Sequence, residues 1–305
     1  MQRGSRAPGE ALHSSPPMAQ IREIKKRMVA VGTIARITKT MQMIATAKFN
    51  AALGRAKASR PYTDTIRALV GEVSAAAGDV RSPLFEAPAT SPKRTAIVLI
   101  TSDRGLCGAF NGHVTRTATR LMRPLRESGH ELMLAVQGKK GMGFCKFQKI
   151  PVAMPLNFGD KVKFEDVDAL ATRLMEEFVA GKYDSVQVVY MRFVSAAKQE
   201  PEVMQLLPLK AVAPAGGAAA SACEFLPSAE RILADLLPRS VKVSLYQAFL
   251  DAAVSEQAMR RVAMKSATDN ARGLGRLLKR NYNRARQAKI TTELTEIVSG
   301  AAALE

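Results

Sequence analysis

Between Met18 and Arg60 apolar side chains recur in steps of three and four with no proline among them. Ile21, Ile24, Met28, Val31, Ala35 and Thr38 make one stripe, and Ile34, Ile37, Met41, Ile44 and Lys48 make a second beside it. The spacing predicts a single helix of about 40 residues, about 60 Å long at 1.5 Å per residue, ended by Pro61. The period then changes. Thr95–Thr101, Glu131–Gln137 and Ser185–Val194 are β-branched apolar runs of the kind that become buried strands. Helical patterns separate them at Asn111–Ser128 and Phe164–Ala180, where Val167, Leu170, Leu174 and Phe178 share one face. Strand alternating with helix predicts an α/β domain with a largely parallel sheet over about Lys93–Pro208. The small-residue stretch Ala211–Cys223 reads as a connection. Beyond it Leu233, Leu236 and Leu237 form a short amphipathic piece that Pro238 is expected to interrupt. From Arg239 to about Val298 the pattern is helical again. Met264, Ala267, Ala271, Leu274, Leu278, Asn281, Ala285, Ala288, Thr292 and Thr295 follow heptad steps with small residues at many of them.

This is an α/β domain inserted between two long helices from the ends of the chain, and the economical arrangement pairs those helices antiparallel so that each covers the other's stripe. Six segments follow: residues 1–17, an extension, an upstream start before Met18, or the remnant of a transit peptide; 18–61, the first helix; 62–92, a connection; 93–210, the α/β domain; 211–227, a flexible connection; and 228–305, the last helix. Residues 1–17 have no apolar core of the kind a secretory signal carries.

Charge sharpens the picture. The 305 residues hold 45 Lys and Arg against 27 Asp and Glu, a formal charge of +18. The first helix carries ten bases and the single acid Glu23 before Pro61; from Arg239 to Thr292 twelve bases face Asp251, Glu256 and Asp269. Such rods seek polyanions: a nucleic acid, an anionic membrane surface, or the acidic face of a protein. Aromatic residues are only 5%, with no Trp, so the stacking platforms of single-strand binders are missing. A basic coiled coil on nucleic acid and a shaft docked in an acidic partner both remain open on composition. The longest apolar run, near Ala96–Ile100, is far short of the about 20 residues a membrane helix needs.

Catalytic signals are thin. Cys107, Cys145 and Cys223 form no CxxC, and His13, His113 and His130 have no ligand spacing. Two turns follow strands: Ser102–Asp103–Arg104–Gly105 and Gly138–Gly143 (GKKGMG). Either could hold a ligand at the end of a sheet. The first serves at least as well as a structural turn, with Asp103 bonding nearby amides and Gly105 supplying a positive φ; GKKGMG lacks the order of a phosphate-binding motif and reads better as a strand-to-helix turn.

Longer segments settle on a family. ITKTMQMIATAKFNAALGRAKASRPY (Ile37–Tyr62), ITSDRGLCGAFN (Ile100–Asn111), QLLPL (Gln205–Leu209), RRVAMKSATDNA (Arg260–Ala271) and YNRARQAKITTELTEIVSGAAAL (Tyr282–Leu304) resemble, in order, the γ subunit of F-type ATP synthases. The resemblance runs from Met18 to Glu305. It implies a Rossmann-like α/β central domain between N- and C-terminal helices that form an antiparallel coiled coil. It implies a central-stalk rotor: the helices stand inside a hexamer of α and β subunits, and the domain meets the ε subunit and the c-ring, with δ elsewhere in the complex. Ion-driven rotation of the ring, by protons or sodium, would then drive ATP synthesis on β, or ATP hydrolysis would drive pumping.

The resemblance also assigns residues. Met41, Arg260, Lys265, Arg286, Gln287, Thr291 and Glu293 are expected to contact the α/β hexamer. Ile34, Ile37, Ile44, Ala267, Ala271, Leu274 and Leu278 are expected to pack the helix pair, and Glu224 and Pro227 to lie in the foot toward the c-ring and ε. No catalytic, metal-ligating or cofactor-binding residue is expected on this chain, and no cofactor. Peripheral attachment at the cytoplasmic face of a bacterial inner membrane is expected, or at the matrix side of a mitochondrial one. The chain has no cysteine-bearing insert like that of the plant chloroplast form, so thiol regulation of that kind is not expected.

Overall fold

The computed structural model describes residues 17–77, 82–85, 93–159, 161–209 and 228–302. In chain order the elements are α1 (Pro17–Ala77), β1 (Arg94–Ile100), α2 (Phe110–Glu127), β2 (Glu131–Gln137), α3 (Lys139–Phe147), β3 (Met154–Leu156), α4 (Phe164–Val179), β4 (Ser185–Phe193), β5 (Gln199–Leu207) and α5 (Ala229–Ala302). They divide into two compact units. One takes the chain up to Met41 together with Met264 onward; the other is Gln42–Ala263.

Both terminal helices run through a proline that the sequence pattern treats as a stop. Pro61 lies inside α1, which continues to Ala77, and Pro238 lies inside α5. An internal proline costs about 3 kcal/mol through one lost backbone bond and a clash with the preceding turn. After Pro61, however, Ile66, Val70 and Val73 are buried in the domain core; Leu233, Leu237, Val241 and Leu245 do the same around Pro238. Each such side chain is worth about 1.5–3 kcal/mol, so three or four of them outweigh the proline. Packing wins over local propensity at both sites.

In the unit Gln42–Ala263 the five strands are ordered β3-β2-β1-β4-β5. All neighbours are parallel except β4 and β5, which pair antiparallel. The expected strands β1, β2 and β4 stand within a residue of the predicted bounds. Two more were not anticipated: β3 is only three residues long, and β5 (QEPEVMQLL) is polar and contains Pro201. An edge strand tolerates a proline because only one side of it needs ladder bonds. Strand β1 divides the core by its two-residue period. Ala96, Val98 and Ile100 join α4's Val167, Leu170, Leu174 and Phe178 on one face. Ile97 and Leu99 join α2's Phe110, Val114, Ala118 and Met122 on the other. Phe49, Ala52 and Ala56 of α1 meet Leu250, Val254 and Ala258 of α5 and Phe193 of β4 in a third cluster.

In the other unit the helices pair through Thr268, whose hydroxyl reaches that of Thr38 at 2.8 Å. A Cβ built on Gly275 would stand 3.9 Å from Val31. One heptad forward on α5 thus answers to one heptad back on α1, which makes the pair antiparallel. The buried stripe is the first of the two on α1. Thr38 is buried, while Ile34 and Ile37, expected in the packing, are 51% and 54% exposed, as is Ile44 of the Gln42–Ala263 unit at 52%. On α5 Met264, Thr268 and Ala271 are buried, Ala267 and Leu278 are half-buried, and Leu274 is 47% exposed. The real seam holds Thr268 and Gly275 one position along from the predicted Ala267 and Leu274. Two parallel stripes are indistinguishable by periodicity; close approach of two backbones favours the one with Ala, Gly and Thr over the one with Ile and Leu.

Candidate interaction surface

The far part of α5 has the plainest functional surface. Every residue from Ile290 to Ala302 is exposed. Ile290, Leu294, Ile297 and Val298, at helical spacings of three and four, are 48–68% exposed and make one apolar strip. Arg286 lies one turn before it, and both Arg286 and Gln287 are exposed. Thr291 is exposed and turns its hydroxyl back to the Gln287 carbonyl at 3.1 Å. Glu293 pairs with Lys289 at 3.2 Å. Further back on α5 the bases Lys265, Arg272, Arg276, Lys279, Arg280 and Arg284 are exposed. Met41 is half-buried. Glu224 and Pro227 lie outside the described residues.

Arg260 departs from expectation. It was assigned to a partner surface, yet it is only 8% exposed. Its guanidinium donates to the Arg104 carbonyl at 3.0 Å and the Gly105 carbonyl at 3.4 Å, and pairs with Glu256 at 2.6 Å. A fork of fixed N–H donors suits two adjacent carbonyls. Arg260 therefore pins the turn after β1 to α5.

The two turns that could have held a ligand are occupied by the chain itself. Thr101 donates its hydroxyl to the Gln137 carbonyl at 2.6 Å, and its oxygen accepts the Gly141 amide at 2.8 Å. Gly138 has φ +93°, and a Cβ there would fall 2.4 Å from the Thr101 carbonyl oxygen; on Gly141 it would fall 2.6 Å from the Thr101 hydroxyl. Gly138 and Gly141 are thus required for α3 to sit against β1, while Gly143 has open space around it. Asp103 accepts the Lys139 amide at 3.1 Å, as a structural turn predicts. The positive φ of this turn falls on Leu106 and Gly108, however, not on Gly105. Asn111 completes it by accepting the Ser102 amide at 3.0 Å. The role of Thr101 could have been suspected from two glycines three apart directly after a strand, but only the fold identifies what they approach.

Cys107 and Cys145 are both buried, and burial pushes the Cys145 thiol above its ordinary range. Among the described residues no group of His, Cys, Asp and Glu is placed to hold a metal ion, and no helix is long and apolar enough to cross a membrane.

One unit is thus a basic antiparallel helix pair with an exposed apolar strip, and the other an α/β domain whose turns after β1 and β2 are filled from within. Comparison with known proteins gives the family. The ATP synthase family profile matches residues 20–304. The chain is 40% identical to the ATP synthase gamma chain of Rhodopirellula baltica and to that of Leptospira biflexa, covering 94% of this chain and 100% of each relative. It superposes on a chain from the central stalk and c-ring structure of Tetrahymena thermophila mitochondrial ATP synthase with a TM-score of 0.57. Identity there is 26%, over 76% of this chain and 99% of that one. A chain of the Euglena gracilis mitochondrial ATP synthase rotor shares the fold, with a TM-score of 0.61 at 20% identity, over 90% of this chain and 99% of that one. The chain belongs to the ATP synthase gamma chain family.

Proposed function

We propose that this protein is the central rotor shaft of an F-type ATP synthase, present once per complex, that couples rotation of a c-ring to the catalytic β subunits. The observation that carries this reading is the full-length match to gamma chains joined to a helix end that is apolar, uncovered and flanked by bases. A strip of Ile, Leu and Val offers few directional bonds, so it can turn within a sleeve without a deep energy well at any angle. The exposed bases would meet acidic loops of β, and a charge of +18 favours such a partner. The same charge is all that supports the nucleic-acid alternative.

On this reading catalysis belongs to β. The chain is non-catalytic and carries no cofactor of its own, and it is held at the membrane only through ε and the c-ring, on the cytoplasmic face of a bacterial inner membrane. Met41, Lys265, Arg286, Gln287, Thr291 and Glu293 supply contacts to the hexamer, and Glu224 and Pro227 the foot. Each contact must form at one angle and release at the next, so a pair worth about 1–3 kcal/mol suits the cycle and a deeper one would stall it.

Reconstitution with α and β subunits tests the reading. Arg286→Ala with Gln287→Ala should lower ATP hydrolysis severalfold in a complex of normal composition, and Arg286→Glu should lower it further. Full activity of Arg286→Glu would remove that assignment; three copies of this chain per hexamer would remove the rotor.

A further inference from the structure

One face of the α/β domain is basic throughout and is assigned no part in the proposed rotor function. Helices α2 and α3 cover it, both packed on the core that holds Ile97, Leu99, Leu134 and Val136. The chain carries no acid from Arg104 to Arg126, nor from Leu132 to Gly159. The opposite face of the sheet is covered by α4, which has Glu165, Asp166, Asp168, Glu176 and Glu177 against Arg173 alone. The domain is therefore polarised across its sheet.

A groove of about 570 Å³ runs along α2 on the basic face, with Phe144 of α3 on its other side. Arg116, Arg120 and Arg123 line it at steps of four and three, so they form one row about 10 Å long. All three are exposed, and among the described residues none of them makes an ion pair or a side-chain hydrogen bond. Like charges at this spacing repel along a helix. The floor beside the row is uncharged. Thr115 and Thr119 donate their hydroxyls to the carbonyls of Asn111 and Thr115 at 2.8 and 2.9 Å, so neither demands a polar partner. Gly112 has open space around it. One turn beyond Phe144, Phe147 is 83% exposed, more than any other large apolar side chain among the described residues.

A row of guanidinium groups beside an apolar line has a definite complement. Carboxylates at the same four-and-three spacing would each meet a fork of two N–H donors, while apolar side chains cover Phe144 and Phe147. A phosphate backbone supplies the charge but nothing for the floor. A lipid surface supplies both but is flat, and this surface is concave. A helix with an acidic and an apolar stripe supplies charge, apolar contact and convex shape together. We propose that the groove between α2 and α3 docks an acidic amphipathic helix of a partner protein. On a rotor, such a partner turns with the shaft or stops it.

The chain has no Trp, so Phe147→Trp places a single fluorescent reporter beside the groove, insensitive to anything bound on α5. The probe is a synthetic helical peptide of about five turns, free of Trp, with Glu at four-and-three spacing beside a Leu stripe. Titrated into the full reporter chain at physiological salt, it should shift the indole emission to the blue and saturate at one peptide per chain. A scrambled peptide of the same composition should bind at least about tenfold more weakly, since it keeps the charge and loses the register. Arg120→Glu in the reporter chain should weaken the ordered peptide by at least about tenfold, and Arg280→Glu, exposed on α5, should leave it unchanged. Equal shifts from the two peptides, or equal losses from Arg120→Glu and Arg280→Glu, would overturn the groove as a generic basic surface. A blue shift given by phosphatidylglycerol vesicles or duplex DNA and by neither peptide would overturn it in favour of lipid or nucleic acid. The ratio of ordered to scrambled binding on the reporter chain decides the matter even where a charge variant fails to fold, and no outcome touches the rotor reading.

Discussion

Replacing Arg260 by leucine separates a residue that holds the domain to its helix from one that touches a partner. In the structure the guanidinium donates to the carbonyls of Arg104 and Gly105 and pairs with Glu256 at 2.6 Å, and the two side chains are only 10% and 19% exposed. Breaking one side of a fully buried pair costs about 3–5 kcal/mol. Glu256 retains some access to water, so the lower end applies, and Arg260→Leu should cost the chain about 3 kcal/mol. Arg260→Lys keeps the charge beside Glu256 but loses the fork that spans two carbonyls, and should cost about 1 kcal/mol. Arg260→Leu with Glu256→Leu should be less harmful than the sum of the single changes by about 2 kcal/mol, because the carboxylate that would lose the guanidinium is then gone as well. Urea unfolding of the isolated chain, followed by circular dichroism, measures all four. In a reconstituted complex the Leu variant should lower the yield of assembled particles while turnover per particle stays near normal. A stability change within about 0.5 kcal/mol, with turnover lost in fully assembled particles, would refute the internal role and return Arg260 to the partner surface.

Further outcomes follow from other contacts. Gly138→Ala should destabilise by about 2–3 kcal/mol, since its Cβ would fall 2.4 Å from the Thr101 carbonyl oxygen at φ +93°; Gly112→Ala, within α2 and with open space around it, should stabilise by about 0.5–1 kcal/mol in the same unfolding assay. Thr38→Val should cost about 1 kcal/mol, and adding Thr268→Val should cost less than a second such increment, because both hydroxyls of the 2.8 Å bond are then gone; thermal melts of the single and double variants measure the difference. Burial alone would raise the Glu177 carboxyl, but bonds from Tyr183 and Arg173 and the charge of Lys182 outweigh it and hold it below 4.5. A depressed carboxylate adds stability above its unfolded value and loses it as pH falls through the folded one. Glu177→Gln should therefore lower the unfolding midpoint at pH 7, with the gap closing well below pH 4.5.

Much of this molecule is legible in its residues. The three apolar β-branched runs, the helical faces of α2 and α4 and the two long basic helices all follow from periodicity, because burial on one face leaves a repeat that any reader can count. The family is legible too, from the segments at Ile37–Tyr62 and Tyr282–Leu304. Tertiary structure decided the rest. A local rule stops a helix at Pro61 and Pro238; only the buried residues around each, brought against a distant sheet, carry the helices through. Period alone offers two stripes on α1, and the choice of Thr38 over Ile37 belongs to the opposing helix, whose Thr268 and Gly275 admit a close neighbour. Arg260 reads as one more base on a basic rod until the fold sets it beside Glu256 and beneath the turn after β1. The GKKGMG segment reads as a strand-to-helix turn, but only the fold shows that Gly138 and Gly141 are there to admit Thr101. Sequence pattern fixes which way a side chain faces along its own element. What it meets there depends on residues far away in the chain, and so on the fold.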